Sequence, residues 1–328
     1  MSLAQFSTGA PSLVGDVGGT NARFALTSNA DALTSVRVLP CDRYPSLSDA
    51  ILDYLAWAGN PRTENAVIAI ATPVLGDHVR MTNHHWSFSI EATRQQFGFR
   101  SLLVINDFFA LAMSLPFLSE NQRQRLDMYG QLQHGVKAVI GPGTGLGVAG
   151  LVPFGAGWQP VASEGGHVSF APADLLELEL LQRLWRNHPH VSAERLLSGP
   201  GILLLYRTLC EMAGVPPGAD EAAGVVQLSR LGQCKVAEQT VALFSGLLGG
   251  VAGNVALTYG CIGGLYLGGG IVGKLGDQFD REKFCQRFVA KGRFESYLES
   301  IPRWLITAEY PAFIGAAQHL RQHLAQLA

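Results

Sequence analysis

A chain of 328 residues is long enough for two domains, or one large one, with a full hydrophobic core. With 48% hydrophobic and 15% charged residues it reads as globular rather than disordered. A formal net charge of −2 and the lack of any Lys/Arg run argue against a nucleic-acid surface, so a polyphosphate ligand would depend on a divalent cation and backbone donors.

The five cysteines (Cys41, Cys210, Cys234, Cys261, Cys285) are scattered without a C-x-x-C pair, and the first residues lack a basic stretch followed by an apolar one. A reduced, cytoplasmic protein is the plain expectation. From Gln239 to Gly273 no residue is charged, which is long enough to span a bilayer. That segment also holds many glycines and Asn254 and changes character midway. A buried helix over about Val236 to Thr258 followed by a buried strand over Gly264 to Leu267 fits better, and no membrane partner is expected. Gly246, Gly249, Gly250 and Gly253 recur at helical spacing, where a neighbouring element could approach closely.

In chain order, residues 1–11 are small and polar without pattern and read as a loose arm. Leu13 to Leu26 then runs as strand, tight turn, strand: apolar Leu13 and Val14, Asp16, the Gly18-Gly19-Thr20 turn, and apolar Phe24 to Leu26. Gly18 and Gly19 could take positive φ and aim backbone N–H groups into one concavity, the Thr20 hydroxyl adds a donor, and Asp16 could hold Mg²⁺ directly or through water. An ordinary hairpin with an Asp at its mouth fits the same residues. Val36 to Leu39 reads as a third strand, Ser46 as the start of a helix with Leu47, Ile51, Leu52 and Leu55 on one face, and Ala66 to Ala71 as a buried strand stopped by Pro73. Ile90 to Phe97 is a short helix and Leu102 to Ile105 another buried strand. Strands alternating with helices after an opening meander indicate an α/β sheet.

At the end of that strand stand Asn106 and Asp107, before a helical run from Phe108 to Leu115. Polar residues at the carboxyl end of a parallel strand are where α/β sheets place ligands. Asp107 therefore fits either a helix N-cap or a general base.

The opening device then recurs: strand Ala138 to Ile140, a glycine-rich turn from Gly141 to Gly147, and strand Val148 to Val152. Two such hairpins suggest two related halves, with the metal nearer the half that carries Asp16. Ser163-Glu164-Gly165-Gly166-His167 makes a compact polar site, followed by a short strand Val168 to Phe170. A buried salt bridge or a metal site competes with that reading, though no further ligands stand at zinc spacing nearby. Leu175 to Trp185 is an amphipathic helix, and Glu194 alone reads as a solvated first-turn helix residue. Tyr266 to Val272 is a buried strand breaking into Gly268-Gly269-Gly270, bare backbone against which a flat ring could lie. Phe279 to Phe294 reads as helix and basic turn, Trp304 to Ala308 as a strand, and Ile314 to Leu327 as a closing helix.

Two motif matches fail on mechanism. Gly145, Gly147 and Gly150 satisfy G-x-G-x-x-G, but strand-like residues follow where the dinucleotide fingerprint needs a helix. Gly268 to Leu275 nearly satisfies the Walker pattern, but Leu275 stands where a hydroxyl must reach Mg²⁺.

Six segments in order carry a resemblance: GDVGGTNAR (Gly15 to Arg23), INDF (Ile105 to Phe108), GPGTGLGVA (Gly141 to Ala149), SEGGHVSFAP (Ser163 to Pro172), VSAERLLSGPG (Val191 to Gly201) and LGGGIV (Leu267 to Val272). The chain resembles the bacterial ATP-dependent glucokinases of the hexokinase/actin-like superfamily from about Leu13 to its last helix. The resemblance implies two ribonuclease-H-like α/β domains, actin/hexokinase-type, around a deep interdomain cleft. It implies a smaller domain over 12–117 plus 307–328 and a larger one over 118–306. It also implies phosphorylation of glucose at its 6-hydroxyl by Mg-ATP in glycolysis, a homodimer, and no nucleic-acid partner.

By that resemblance Gly15, Asp16, Val17, Gly18, Gly19 and Thr20 would surround the terminal phosphates of ATP, with Asp16 on Mg²⁺. Gly143, Thr144 and Gly145 would hold phosphates from the other side, and Gly268, Gly269 and Gly270 would border the adenosine. Asn106, Asp107, Glu164, His167 and Glu194 would bind glucose hydroxyls, with Asp107 the base. Related kinases and repressors carry a cysteine-rich zinc motif after Gly-Gly-His. This chain has none, so zinc is expected to be absent, and Ser163 replaces the usual glycine before the Glu-Gly-Gly-His core. A sugar-responsive regulator on the same scaffold would need a helix-turn-helix, and about eleven residues precede the first strand. Mannose, fructose or glucosamine as acceptor, and polyphosphate as donor, share the same residues.

Overall fold

A computed structural model describes residues 10–29, 32–128 and 130–327. Most of the arm expected over residues 1–11 lies outside them. The described residues divide into two compact units: those within Met1–Ser119, Phe154–Pro160 and Ala308–Ala328, and those within Glu120–Pro153 and Val161–Thr307.

The first unit is built on strands β1 (Ser12–Val17), β2 (Asn21–Asn29), β3 (Ala32–Pro40) and β4 (Asn65–Ile70), a small ladder of β5 (His78–Arg80) with β6 (Ser87–Ser89), and β7 (Ser101–Asn106). The main sheet has the order β3-β2-β1-β4-β7, antiparallel through β1, β2 and β3 and parallel through β1, β4 and β7. The third strand is longer than Val36 to Leu39, because pairing with β2 continues to Ala32 through two register irregularities.

Both faces of this sheet are covered, which explains why β4 is an almost unbroken apolar run. Leu13, Val17, Ile68 and Ile70 pack on one side with Leu47, Ile51 and Tyr54 of the helix Leu47–Trp57. Val14, Val67 and Ala69 pack on the other with Phe313, Ala316 and Leu320 of the closing helix Pro311–Leu327. Gly315 is needed there, since a Cβ at that position would run into the carbonyl of Ala110. Ser46 and Ser89 cap the helices Leu47–Trp57 and Ile90–Phe97, each side-chain oxygen accepting from the N–H three residues on.

The second unit repeats the plan. Strands β8 (Arg123–Arg125), β9 (Lys137–Pro142), β10 (Leu146–Phe154), β11 (Gly157–Ser163), β12 (Leu265–Leu267) and β13 (Arg303–Ile306) lie in the order β11-β10-β9-β12-β13-β8, the last residue of β10 and the first four of β11 falling within the Phe154–Pro160 stretch of the first unit. β9 and β10 are antiparallel and β9, β12 and β13 parallel, so β11-β10-β9-β12-β13 matches β3-β2-β1-β4-β7. The two halves read from the paired hairpins are therefore present as topology.

The uncharged segment is the core helix Lys235–Tyr259, 83% buried over its most apolar window, followed by β12. Gly249 and Gly253 face the carbonyls of Phe284 and Phe288 on the helix Arg281–Val289, with no room for a Cβ. The helices Gly199–Ala213 and Ala222–Arg230 and the edge strand β8 were not read from the sequence. No strand forms over Val168 to Phe170. Ser169 makes an isolated bridge with Ser192 and the segment otherwise runs as loop. The strand at Tyr266 ends at Leu267, because Gly269 turns the backbone at φ 74° and the helix Gly270–Leu275 begins.

Candidate active site

In the first unit, β1, β4 and β7 end together: Val17 pairs with Ile70, and Ile70 with Asn106. Two strand spacings, about 10 Å, separate β1 from β7, and Asp107 stands two residues beyond Ile105, the residue level with Asp16, so both acids lie at the same end of the sheet. Asp16 faces Arg23 across the hairpin and takes its guanidinium at 3.1 Å. Burial raises the Asp16 carboxyl above the ordinary carboxylate range, and Arg23 pulls it back.

The turn after Asp16 differs from expectation in one respect. Neither Gly18 nor Gly19 has positive φ. Gly19 is there for space, since a Cβ would stand 3.0 Å from the carbonyl oxygen of Asn83, and Gly15 because a Cβ would meet Ile68 at 2.5 Å. The Gly18 N–H closes the turn onto the Asn21 carbonyl at 3.0 Å, and the Cys41 N–H donates to the Thr20 carbonyl at 2.9 Å. Among the described residues this leaves the Gly19 and Thr20 amides directed at no protein acceptor.

Asn106, not Asp107, caps the helix Asp107–Ser114: its Oδ1 accepts from the N–H groups of Phe108 and Phe109 at 2.9 and 3.2 Å. The Asn106 amide donates to Asp107 Oδ1 at 3.0 Å, and the Phe108 N–H to the same oxygen at 2.9 Å. Both bonds fall on Oδ1, so Oδ2 has no protein donor among the described residues. Burial, reinforced by the charge of Asp16, lifts the Asp107 carboxyl to about 6 against the pull of the Phe108 N–H. A carboxylate anchored by one oxygen, with the other open and a pKa near neutrality, is suited to accept a proton.

In the second unit the turn 143–145 joins β9 to β10, closed by the Gly143 N–H on the Gly145 carbonyl at 2.8 Å. Glu194 sits on the four-residue helix Ala193–Leu196, capped by Ser192, and is not the solvated residue expected. Its Oε2 accepts from the Leu146 N–H at 2.8 Å and its Oε1 lies 3.7 Å from His167 Nδ1. His167 Nε2 is 4.0 Å from Glu164, so the imidazole stands between two carboxylates. Glu164 and His167 remain 68% and 59% exposed, open to a polar ligand. The Ser163 hydroxyl accepts from the Gly165 N–H at 2.8 Å, and Gly166 lies against the Leu146 carbonyl with no room for a Cβ.

β12 delivers Gly268 beside β9, where its N–H donates to the Ile140 carbonyl at 2.9 Å. Gly269 sits against the carbonyl of Pro142, which again excludes a side chain. Thr144 and Gly270 border a cavity of about 740 Å³ whose walls include Ile202, Val226, Gln227 and Ile271. The last four were missed by sequence reasoning. The only local signal for Val226 and Gln227 was the apolar spacing of Ala222, Val225 and Val226. Among the described residues no group of three His, Cys, Asp or Glu is placed to hold a metal ion. Asp16 as a lone oxygen donor still suits Mg²⁺, which keeps several waters and takes its other ligands from phosphates.

The family described as Glucokinase matches residues 13–323. The bifunctional protein glk of Burkholderia thailandensis is 50% identical over 96% of this chain, and the chain spans about half, 49%, of that relative's length. The glucokinase of Chromobacterium violaceum is 47% identical, with 96% of this chain and 90% of the relative covered. Among solved structures, the glucokinase of an Antarctic psychrotroph is 38% identical with a TM-score of 0.87 over 95% of this chain and 99% of that one. A ROK-family glucokinase from Streptomyces griseus, solved with glucose and AMPPNP, shares the fold at 19% identity and a TM-score of 0.62 over 95% of this chain and 99% of that one. With the family match over nearly its whole length, the chain belongs to the glucokinase family and has its actin-like sugar-kinase fold.

Proposed function

We propose that the protein transfers the γ-phosphoryl group of ATP to the 6-hydroxyl of D-glucose, giving glucose 6-phosphate and ADP. The observation that carries this reading is Asp107: one carboxyl oxygen held by backbone and Asn106, the other open, its pKa at about 6, at the same end of the sheet as the Gly18-Gly19-Thr20 turn. Asp107 Oδ2 takes the proton of the 6-hydroxyl as that oxygen bonds to phosphorus, ADP departs, and the proton passes to solvent when the product leaves. Glu164, His167 and Glu194 hold the remaining sugar hydroxyls, and a sugar lacking one of them leaves unpaired the group that the bound sugar would otherwise cover. The Gly19 and Thr20 amides and the 143–145 turn meet the phosphates, and the cavity beside Gly270 takes the adenosine. Asn106 acts mainly by fixing Asp107, since its side chain is already committed to three backbone partners and that carboxylate.

Mg²⁺, held by Asp16, supplies positive charge to the transferring phosphoryl when bound. The family resemblance further supports a cytoplasmic homodimer acting in glycolysis, and light scattering of the purified protein tests the dimer. The activity is tested by a coupled assay with Mg-ATP and, in parallel, glucose, mannose, fructose, glucosamine and N-acetylglucosamine. Turnover confined largely to glucose supports the reading. Turnover on another hexose keeps Asp107 as base and reassigns the sugar contacts, and no turnover on any overturns the kinase.

A further inference from the structure

The segment Ser192 to Gly199 does more than present Glu194 to a sugar. It grips the 143–145 turn at both ends: the Glu194 carboxylate accepts the Leu146 N–H at 2.8 Å, and the Gly199 N–H donates to the Gly143 carbonyl at 2.9 Å. Gly145 lies directly against the Glu194 carboxylate, leaving no room for a Cβ. The loop carrying Glu164 and His167 rests on the same residue from another side, with Gly166 against the Leu146 carbonyl, and Gly165 lies so near Val148 that a Cβ there would stand 3.1 Å from its side chain. Leu146 thus has its N–H held by one sugar-reading residue and its carbonyl covered by the loop that bears the other two.

We infer that Glu194 is a positioning residue for the nucleotide as well as a sugar contact: its hydrogen bond to Leu146 holds the 143–145 turn in its phosphate-receiving shape and couples sugar occupancy to nucleotide affinity. The inference rests on the reading of this turn as a phosphate site. Oε2 is committed to the turn and Oε1 faces His167, so a sugar hydroxyl arriving at Oε1 orders the carboxylate that orders the turn. A hydrogen bond to a carboxylate is among the stronger ones, and an N–H left without it loosens the turn.

Calorimetric titration with ADP in the absence of any sugar separates this role from a sugar contact. Glu194→Ala is expected to weaken sugar-free ADP binding about tenfold, although Glu194 does not touch the nucleotide. Glu194→Gln, whose amide oxygen still accepts from Leu146, is expected to restore ADP binding to within about twofold while glucose affinity stays low. Hydrogen exchange at the Leu146 amide is expected to speed up in the alanine variant and not in the glutamine one. Native-like ADP affinity in a folded Glu194→Ala overturns the positioning role and leaves the kinase reading standing. Failure of the unmutated protein to bind ADP overturns both.

Discussion

The two turns at 18–20 and 143–145 occupy equivalent places in two sheets of the same strand order, yet they are supported by different means. In the first, the acid is on the strand itself, two residues before the turn and opposite Arg23, and Gly19 is small because the backbone of Asn83 crosses behind it. In the second no acid precedes the glycines, and the carboxylate comes from Glu194, 48 residues further on, pressed against Gly145. A repeated fold supplies a backbone cradle twice, and the side chains that fit it to chemistry come from wherever the chain next passes.

The largest effect expected is at Asp107, which only the first unit provides. Asp107→Ala should fold, bind glucose more weakly and lose about 10²- to 10⁴-fold in turnover, the usual worth of a general base. Near-native turnover would remove the distinction between the units.

Substituting the turn glycines sharpens the comparison. Gly145→Ala must displace the Glu194 carboxylate and should weaken glucose affinity about tenfold or more, whereas Gly143→Ala, with no protein atom within 4 Å of the new methyl, should leave glucose affinity within about twofold. Gly19→Ala meets backbone instead, at 3.0 Å from the Asn83 carbonyl oxygen, so it should cost about 1 kcal/mol of stability and weaken nucleotide binding while sparing glucose. Equal effects of Gly19→Ala and Gly145→Ala on glucose affinity would mean that the two turns are not supported differently.

The Asp107 carboxyl at about 6 gives a pH test with a definite sign. Turnover should fall as pH drops through about 6, where the base takes up a proton, and Asp107→Asn should abolish that acid limb along with most of the rate. Because the folded-state value is raised, the ionised carboxylate burdens the fold above about pH 6 and no longer does so below about pH 4. Asp107→Asn should therefore be more stable than the native protein by about 1–2 kcal/mol at pH 8, with the gap closing towards pH 4 in denaturant titrations. An equal gap at both pH values would assign the stabilisation to packing.

Local pattern carried the strands and helices of the first unit, since an apolar run and a serine before an apolar face are short-range signals: Ser46, the helix Ile90–Phe97 and the β4 run stand as expected. It failed where two readings share one signal. Asn106 and Asp107 are both good caps, and only the backbone geometry shows that Asn106 takes the role and leaves Asp107 open. Glu194 looked like a solvated helix residue because its partner, the Leu146 N–H, is distant in sequence and a backbone amide has no letter of its own. Gly18 and Gly19 suggested positive φ, whereas Gly19 meets a close approach by Asn83, a residue with no turn signature near it in sequence.

The smallest effect bears on how the second unit holds the loop that carries Glu164 and His167. Ser163 stands where the family resemblance leads one to expect glycine, and its hydroxyl accepts from the Gly165 N–H at 2.8 Å, closing a local turn under Glu164. Ser163→Gly removes one neutral, partly exposed hydrogen bond, worth about 1 kcal/mol, and frees the backbone at that point. The loop remains pinned by Gly166 against the Leu146 carbonyl. KM for glucose should therefore rise by no more than about threefold with kcat unchanged, whereas a fall in kcat would show that the hydroxyl, rather than the packing on β10, sets where Glu164 and His167 stand.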